Sequence, residues 1–435
     1  MVYPPNGNSG MVSQNVWMLE PLGLEYIAAA MPGKQVQIID LRFGESFQKR
    51  IKTFKPDLIG FSGLTIHVNP ILKLIKLAKE LHPDLAIWVG GHHATVLPQD
   101  FDVPGVDIII MGEGCSAVKE IFKSTDNLQE IEGIAYLHKG KRIYNRKRFH
   151  PSLDDLPLPR RDLTKQYRKR YHYVWNENRA LVRTSMGCPF RCTFCSTFNL
   201  TQGRYLTRNI DLVVEEIKNV REGSIFFVDD ESMIDYPRMM NLANRLKQCG
   251  VKKKYYLMAR ADSVINHPDL FKAWKDIGLE GIDVGFETYN DEGFFALNKQ
   301  ETKAVIFKAL EVAKRLGLKI EPMFMIDPRS TVEDFINIRK IVVQERLWRS
   351  AFGILTPLPG SQLWEDRKGE IVENNWDLWD CEHSVVPTNL PEDEFYKHYQ
   401  WLNSDLIPLI DKFKILPRYL FNKALNKLHR AIGTF

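Results

Sequence analysis

Hydrophobic residues in the first third of the chain form short, mainly apolar runs, separated by longer amphipathic stretches. The runs lie at 36–40, 58–62, 85–89 and 106–110. Between the second and third runs, apolar residues recur at helical spacing and predict a helix over 70–81. Mainly apolar strands separated by single helices are typical of a parallel sheet covered on both faces. The pattern therefore predicts a doubly wound, Rossmann-like α/β domain.

A second series of alternating strand and helix patterns begins near residue 180. Its apolar runs lie at 180–184, 224–228, 254–258, 281–286, 319–325 and 351–355. Six such units fit a partial βα barrel, in which the reacting centre lies at the carboxyl ends of the strands.

The stretch between the two series differs from both in composition. Pro157 and Pro159 stand at alternate positions, which favours extended backbone, and they follow a run of basic residues. We therefore divide the chain into four parts: a Rossmann-like domain at 1–131, a linker at 132–175, a partial barrel at 176–375 and a helical C-terminal segment at 376–435.

The composition is that of a globular protein with more than one domain. The 435 residues are too many for one ordinary core, and 44% of them are hydrophobic. No apolar run is long enough to cross a bilayer and the N-terminus lacks a secretion signal, so we expect a cytoplasmic location. The net charge of +5 does not by itself indicate a nucleic-acid partner, and we expect none.

Three of the six cysteines, Cys188, Cys192 and Cys195, share one loop directly after the first barrel strand. Their spacing lets three thiolates converge on an iron-sulfur cluster and leaves one iron of a cubane without a cysteine. A structural zinc site is the alternative, but no fourth Cys or His follows at short spacing. The scattered Cys115 and Cys249, like Cys381, are expected to be small packed side chains.

Glycine and polar residues cluster where the predicted strands end. In the first domain they occupy 62–65, 90–95 and 112–114, where glycine permits a close ligand approach or simply an ordinary turn. The adjacent His92 and His93 are either ligand contacts or hydrogen-bonded structural residues. At the barrel strand ends the charged residues are Asp229, Asp230, Glu231, Arg260, Glu287 and Asp327. These groups suit an ammonium, a carboxylate or ribose hydroxyls, or they are simply exposed to water.

The run Gly187-Cys-Pro-Phe-Arg-Cys-Thr-Phe-Cys195 resembles the signature of radical S-adenosylmethionine (SAM) enzymes. The segment 90–98 followed by 112–114 is similar to the cobalamin-binding domain that precedes the radical SAM domain in one large subfamily. Further segments resemble markers of the branch that contains anaerobic magnesium-protoporphyrin cyclase and hopanoid methylase; they are 227–231, 260–262, 285–288 and 356–360.

This resemblance implies three cofactors and a set of contacts. A 4Fe-4S cluster would be bound by the three loop cysteines, and its open iron would bind SAM. The candidate cobalamin contacts are Ser62, Thr65, Gly90, Gly91, His92 and Gly114. The candidate SAM contacts are Asp229, Asp230, Arg260 and Glu287, and no catalytic residue beyond the cluster ligands is assigned.

The resemblance also implies the reaction. Reductive cleavage of SAM gives a 5′-deoxyadenosyl radical, and cobalamin delivers a methyl group to an unactivated carbon of a lipid, tetrapyrrole or natural product. The alternatives are a radical cyclisation or rearrangement without methyl transfer, and a sensor without turnover. The implied partners are a small-molecule or lipid substrate and an electron donor such as ferredoxin or flavodoxin.

The chain departs from the family pattern in two places. Its first histidine is His67, so the loop after the first strand has no Asp-x-His-x-x-Gly motif, and we predict that no histidine in this loop binds cobalt. After the fifth barrel strand, Ile326-Asp-Pro328 replaces the usual Gly-x-Pro turn.

The C-terminal segment is aromatic and then basic. Trp364, Trp376 and Trp379 either cover a large apolar substrate or pack against the barrel, which we favour, and a helix is predicted over 392–407. The stretch 412–430 has basic and apolar residues but no acidic one. It is either a membrane-surface helix or, preferably, a helix that covers a domain.

Overall fold

The computed structural model describes residues 1–6, 18–123, 127–149, 152–173 and 178–404. They contain two large sheets with helices packed against them. Within these residues, no helix is long and apolar enough to span a membrane. The predicted basic helix over 412–430 lies outside the described residues.

The first sheet has seven strands in the order β2-β1-β3-β4-β5-β6-β7. The strands are β1 (Val2–Tyr3), β2 (Ile39–Asp40), β3 (Leu58–Ser62), β4 (Ala86–Gly90), β5 (Ile108–Ile110), β6 (Ile134–His138) and β7 (Lys141–Tyr144). The helices are α1 (Leu22–Ala29), α2 (Phe47–Phe54), α3 (Val68–Leu81), α4 (His92–Val96) and α5 (Gly114–Lys123). The first five strands are parallel, and fully buried Ile87 and Val89 lie in their core.

Strands β6 and β7 correct the predicted linker. They pair antiparallel with β5 and with each other, so the first sheet extends into the 132–175 stretch. The turn between them contains Lys139 and Gly140, both with positive φ, which matches the right-handed twist of a tight hairpin. Only the residues after this hairpin cross to the second domain.

The second sheet has six parallel strands in the order β15-β14-β13-β12-β11-β8, which confirms the predicted partial barrel. Its strands are β8 (Ala180–Val182), β11 (Ser224–Phe227), β12 (Lys254–Met258), β13 (Leu279–Glu287), β14 (Lys319–Ile326) and β15 (Ala351–Ile354). A small antiparallel pair, β9 (Ser185–Met186) and β10 (Leu206–Thr207), follows the first barrel strand. The helices of this half are α6 (Thr197–Thr201), α7 (Ile210–Asn219), α8 (Tyr236–Gln248), α9 (Ala261–Asn266), α10 (Pro268–Asp276), α11 (Asp291–Ala296), α12 (Lys303–Arg315), α13 (Val332–Gln344), α14 (Gln362–Arg367) and α15 (Glu392–Asn403).

Alternate residues of the barrel strands face different partners. Tyr255 and Leu257 pack with the surrounding helices in the main core, whereas Tyr256 between them packs inward. There it joins Leu22 and Tyr26 of α1, which belong to the first domain. Helix α1 therefore covers part of the open side of the barrel.

A buried ion network locks the linker between the two domains. Arg161 lies 2.7 Å from Glu216 of α7, and Arg168 pairs with Glu20 just before α1. Thr164 donates a hydrogen bond to Glu25 of α1, at 2.5 Å, and burial raises the pKa of Glu25 to about 7. Because the linker side chains pair with glutamates of both domains, the linker fixes the relative position of the two domains.

The C-terminal tryptophans pack, as the sequence analysis favours, but against both domains. Trp376 and Trp379 lie 4.8 Å apart between ring centroids, and Trp364 packs beside them. Trp376 also meets the ring of His93 in the first domain edge to face, at 5.0 Å. Helix α15 begins at the predicted residue.

Candidate functional site

The cysteine loop lies at the carboxyl end of the barrel, between β9 and α6. Its middle is held by two backbone hydrogen bonds, from Thr193 N to Leu297 O at 3.0 Å and from Leu363 N to Thr193 O at 2.8 Å. Phe194 packs inward against Leu297 and Leu355. The loop is thus anchored to the barrel before any cofactor binds.

Two neighbouring carboxylates after β11 anchor the two ends of this loop. Asp229 is fully buried and accepts hydrogen bonds from Thr184 N at 2.7 Å and Ser185 N at 2.9 Å. Asp230 accepts from Gly187 N at 2.7 Å, before the first cysteine, and from Thr197 Oγ1 at 2.9 Å, after the last. These predicted SAM contacts therefore bind the loop that carries the cysteines.

Cys188, Cys192 and Cys195 are partly exposed, whereas Cys115 is buried. Burial, together with the neighbouring Cys195, raises the pKa of Cys188 to about 11. Metal binding to these thiols must therefore displace protons. In the described parts of the chain, no three His, Cys, Asp or Glu side chains converge closely enough to hold a single ion.

Glu287 and Arg260 are brought together by a residue that the sequence analysis missed. Lys299 Nζ lies 2.6 Å from Glu287 Oε1 and donates a hydrogen bond to Gly285 O at 2.7 Å. It also lies 3.4 Å from Glu301 Oε2, and all three charged groups are buried. Burial opposes the charge of Lys299, but the two carboxylates raise its pKa above the ordinary value.

Arg260 ties this ion cluster to the cysteine loop. Its guanidinium donates two hydrogen bonds to Lys299 O at 3.2 Å and lies 3.7 Å from the ring centroid of Phe190 within the loop. Asn298 also donates to Arg191 O at 2.9 Å. Glu287 and Asn298 both have left-handed backbone with φ near +50°, a strained conformation that clusters at functional sites.

A separate polar group lies deeper in the barrel. Asp283 of β13 accepts a hydrogen bond from Tyr173 and neighbours Glu321 on β14, which pairs with Arg349 at 2.7 Å. Burial, and then the charge of Glu321, raises the pKa of Asp283 to about 7. No sequence pattern predicts this group, because its partners come from distant segments.

The predicted cobalamin contacts line the carboxyl edge of the first sheet. Ser62 and Gly90 are register partners on β3 and β4, and Gly114 begins α5. Gly91 has φ +102°, and a Cβ there would lie 2.8 Å from Ser62 Oγ and 2.7 Å from Gly63 O. Because only glycine fits at this position, no side chain covers the edge of the sheet, and a ligand can approach the backbone there.

The three histidines nearest this edge have different environments. His93 is fully buried and lies 3.2 Å from Thr65 Oγ1 and 2.9 Å from Asp100 Oδ2, so of the two roles considered from the sequence it has the hydrogen-bonded, structural one. His67 accepts a hydrogen bond from Leu64 N at 3.0 Å, and burial lowers the pKa of His67 to about 3. His92 instead points across to the second domain.

The two carboxyl edges meet at His92. Its Nε2 lies 3.1 Å from Ser196 Oγ, the residue after the last loop cysteine. Beside this contact, a Cβ at Gly360 would lie 2.7 Å from Val96 of α4, and Gly360 O accepts a hydrogen bond from Asn199 at 2.9 Å. The candidate cobalamin edge and the cysteine loop therefore face one another at contact distance.

A shallow cavity of about 560 Å³ lies at the opposite, amino end of the barrel strands. It is lined by lysines and glycines, among them Lys252, Lys254, Lys275 and Gly278. None of the predicted site residues lies there. It contributes nothing to the candidate site.

Comparison with known families matches both halves of the chain. The profile of the B12 binding domain matches residues 17–122, and that of the radical SAM superfamily matches residues 182–342. The chain is 29% identical to the hopanoid C-3 methylase of Methylococcus capsulatus over 96% of its own length and 83% of that protein. It is 24% identical to the anaerobic magnesium-protoporphyrin IX monomethyl ester cyclase of Rubrivivax gelatinosus, over 76% of this chain and 61% of the relative.

Solved structures show the same fold. The cobalamin-dependent SAM radical enzyme OxsB, with aqua-cobalamin and SAM bound, superposes with a TM-score of 0.71 at 16% identity, over 98% of this chain and 71% of the other. The radical SAM methyltransferase TsrM from Kitasatospora setae gives 0.70 at 15% identity, over 94% of this chain and 91% of the other. Both matches extend over at least 94% of this chain and therefore include both of its large sheets.

Proposed function

Because the chain belongs to the radical SAM enzymes that carry an N-terminal cobalamin-binding domain, we propose that it methylates an unactivated carbon of a large, mainly apolar substrate. Its cofactors are a 4Fe-4S cluster, SAM and cobalamin, as the sequence predicts. The recognised family and the fold class are likewise confirmed.

The contact between His92 and Ser196 is the observation that carries the methylase proposal. It lies where the carboxyl edge of the first sheet meets the cysteine loop, at a distance of 3.1 Å. Ligands of parallel α/β sheets bind at these edges. Two cofactors bound there would therefore share one space, as methyl transfer to a substrate radical requires.

The side chains at the site fit these cofactors. Cys188, Cys192 and Cys195 would hold the cluster, while Arg260 and Glu287 would receive the carboxylate and ammonium of SAM. The open glycine edge at Gly91 would receive cobalamin. When bound, the reduced cluster supplies the electron that cleaves SAM, and cobalamin supplies the methyl group.

Other residues of the chain hold the cysteine loop in position and cover part of the barrel. Asp230 fixes both ends of the cysteine loop, and α1 covers part of the open barrel side through Leu22 and Tyr26. A sheltered site limits the side reactions of a radical with water. The substrate class is proposed from relatives, which include a hopanoid methylase and bacteriochlorophyllide d methyltransferases.

A radical cyclase without methyl transfer is the second candidate. It is supported by the similarity to two anaerobic magnesium-protoporphyrin IX monomethyl ester cyclases. A cytoplasmic location and a membrane contact through the stretch 412–430 remain predictions.

The deciding experiment is anaerobic reconstitution with iron and sulfide, with and without cobalamin, followed by reduction in the presence of SAM labelled in its methyl group. We expect 5′-deoxyadenosine in both the presence and the absence of an added hopanoid-like lipid or tetrapyrrole, and label in the product only with cobalamin and substrate. Substrate turnover without label transfer would favour the cyclase. Cofactor binding without any 5′-deoxyadenosine would favour a sensor.

A further inference from the structure

The inner face of the barrel strands is more exposed than the outer face. The outward side chains of β12–β15 are buried against the surrounding helices. Residues of the same strands that point into the barrel are partly exposed instead; they are Met258, Gly285, Met323, Met325 and Gly353. The middle of the partial barrel is therefore open. We call the space bounded by these five residues the barrel lumen.

The barrel lumen is apolar down to a floor of two carboxyl groups. Asp283 is the register partner of Met258 on one side and of Glu321 on the other, so these inward residues form one layer across three strands. The partial exposure of Met258 shows that the lumen reaches this layer. Glu287 lies four residues further along β13, at the carboxyl edge. The floor is thus roughly 10–13 Å below the edge where the cofactors would bind.

The two oxygens of the Asp283 carboxyl group have different surroundings. Tyr173 donates a hydrogen bond to Oδ2. Among the residues that the structure describes, none donates a hydrogen bond to Oδ1, although Asp283 is only 3% exposed. Its neighbour Glu321, in contrast, is paired with Arg349 at 2.7 Å. A buried acceptor without a donor is costly, so a donor that a ligand brings into the lumen would stabilise Oδ1.

We propose that Asp283 anchors the substrate, by accepting at Oδ1 a hydrogen bond from a hydroxyl group while the apolar body of the substrate fills the barrel lumen. This inference rests on the proposed function and adds to it a polar group that the substrate must carry. Because the floor lies roughly 10–13 Å below the carboxyl edge, the hydroxyl and the reacting carbon are at opposite ends of an extended molecule.

The charges at the floor favour a hydroxyl over an ammonium group. The guanidinium of Arg349 already neutralises Glu321, and Arg179 lies close enough to Asp283 to favour its ionised form. Burial, and then the charge of Glu321, raises the pKa of Asp283 to about 7, so both protonation states occur near neutral pH. A hydroxyl donates to the carboxylate and accepts from the carboxylic acid, whereas an ammonium group can only donate.

The test measures the binding of two probes to the full-length protein reconstituted with iron, sulfide, cobalamin and SAM, without a reductant. The probes are a hopanoid alcohol with its hydroxyl at one end of the ring system and the matching hydrocarbon without the hydroxyl. Equilibrium dialysis at a fixed detergent concentration gives Kd for each probe. We expect the alcohol to bind at least about tenfold more tightly, because the hydrocarbon leaves Oδ1 of Asp283 without a donor.

Two variants of Asp283 test the assignment of the anchor. Asp283→Leu removes both oxygens and keeps a side chain of similar length, so it should bind the two probes with equal affinity. Asp283→Asn keeps an acceptor oxygen and should therefore retain most of the preference for the alcohol. An undiminished preference in Asp283→Leu overturns the proposal.

Tyr173→Phe is the matched control for a purely structural role. It removes the hydrogen bond to Oδ2 and leaves Oδ1 in place. If Asp283 served only to hold Tyr173, this variant and Asp283→Leu would have the same effect on both probes. We expect Tyr173→Phe to keep the preference for the alcohol, and an equal loss of preference in the two variants overturns the proposal.

The remaining outcomes separate the anchor from the proposed reaction. If Asp283→Leu lacks the cluster or cobalamin absorbance, Asp283→Ala replaces it under the same criteria. Equal affinity of the unaltered protein for both probes, or binding of neither, overturns the anchor. A preference that depends on Asp283, without labelled methyl in the alcohol after reduction, supports the anchor and refutes methyl transfer. Methyl transfer to both probes with equal KM supports the proposed function and overturns the anchor.

Discussion

Replacing Lys299 by methionine should destabilise the barrel and weaken SAM binding. Methionine keeps the length of the side chain but removes the charge that lies 2.6 Å from Glu287 and 3.4 Å from Glu301. Glu301 keeps a cation, because Arg260 Nη2 lies 3.7 Å from it. Glu287 loses its paired cation, so we expect the loss of stability and of SAM affinity to arise mainly at Glu287.

The magnitude follows from the burial of the pair. Removing one partner of a buried ion pair costs about 3–5 kcal/mol, and the lower end applies because Arg260 remains for Glu301. For a domain of this size, about 3 kcal/mol corresponds to a fall of roughly 6–12 °C in the unfolding midpoint. SAM affinity should fall at least about tenfold, since Glu287 would no longer be held in its strained backbone conformation.

The raised pKa of Lys299 determines how the stability lost in Lys299→Met depends on pH. A lysine whose pKa is higher in the folded than in the unfolded state contributes stability that is fully present below its unfolded value and is lost only as pH rises through the folded one. The loss in Lys299→Met should therefore be the same at pH 6.5 and pH 8.5.

The assay is thermal unfolding of the cofactor-free chain together with equilibrium SAM binding to the reconstituted one. Lys299→Arg should recover part of both losses, because it restores the charge with a different geometry. Lys303→Met, an exposed lysine at the start of α12, is the matched control. A midpoint within about 2 °C of the unaltered protein, with unchanged SAM affinity, would refute the reasoning.

Three further changes test other parts of the site. Cys192→Ser should abolish the cluster absorbance, because a hydroxyl does not replace the thiolate, whereas the exposed Cys249→Ser should keep it. Asp283→Asn should raise the unfolding midpoint more at pH 8 than at pH 5. Burial raises the pKa of Asp283 to about 7. Ionisation of Asp283 therefore lowers the free energy of unfolding by up to roughly 4 kcal/mol as the pH rises from about 4 to about 7, and asparagine avoids this loss. Ser196→Ala should remove the contact with His92 and lower methyl transfer more than SAM cleavage, measured as labelled product per 5′-deoxyadenosine.

Each of these has an outcome that contradicts it. Full cluster absorbance in Cys192→Ser would remove that cysteine from the ligand set. A pH-independent effect of Asp283→Asn would mean that its carboxyl ionises normally in the fold. An unchanged product ratio in Ser196→Ala would show that the contact between the domains does not couple the two cofactor sites.

The strands were predictable where the local sequence alone decides the structure. The runs 58–62 and 254–258 coincide with β3 and β12, because short, mainly apolar segments between helical patterns are typical of buried parallel strands. The basic residues of the hairpin β6–β7 favour a linker, although Lys139-Gly140 between two strand-like runs is a recognisable turn.

The spacing of the cysteines predicts the cluster ligands, but no sequence pattern predicts the buried residues that support the cysteine loop. Lys299 and Glu301 lie in a segment without helical or strand periodicity, so nothing in the sequence marks them as buried. Their role arises from a tertiary encounter with Glu287, and Asp283 meets Tyr173 in the same way. Single-sequence patterns report burial along one element and carry no information on which elements meet.

The two domains hold the site from opposite sides, and each side depends on the other. Asp229 and Asp230 fix the cysteine loop from the barrel, while His92 meets its far end from the first domain. At Gly360 no side chain fits, since φ is +86° and a Cβ would lie 2.7 Å from Val96. The ion network around Arg161 and the packing of α1 against the barrel also hold the two domains together. A shift large enough to separate the two edges would therefore break buried ion pairs and expose the barrel core at the same time. The distance between the two cofactor edges is therefore set by the packing of the whole chain, which explains how two separate α/β domains can share one reaction space.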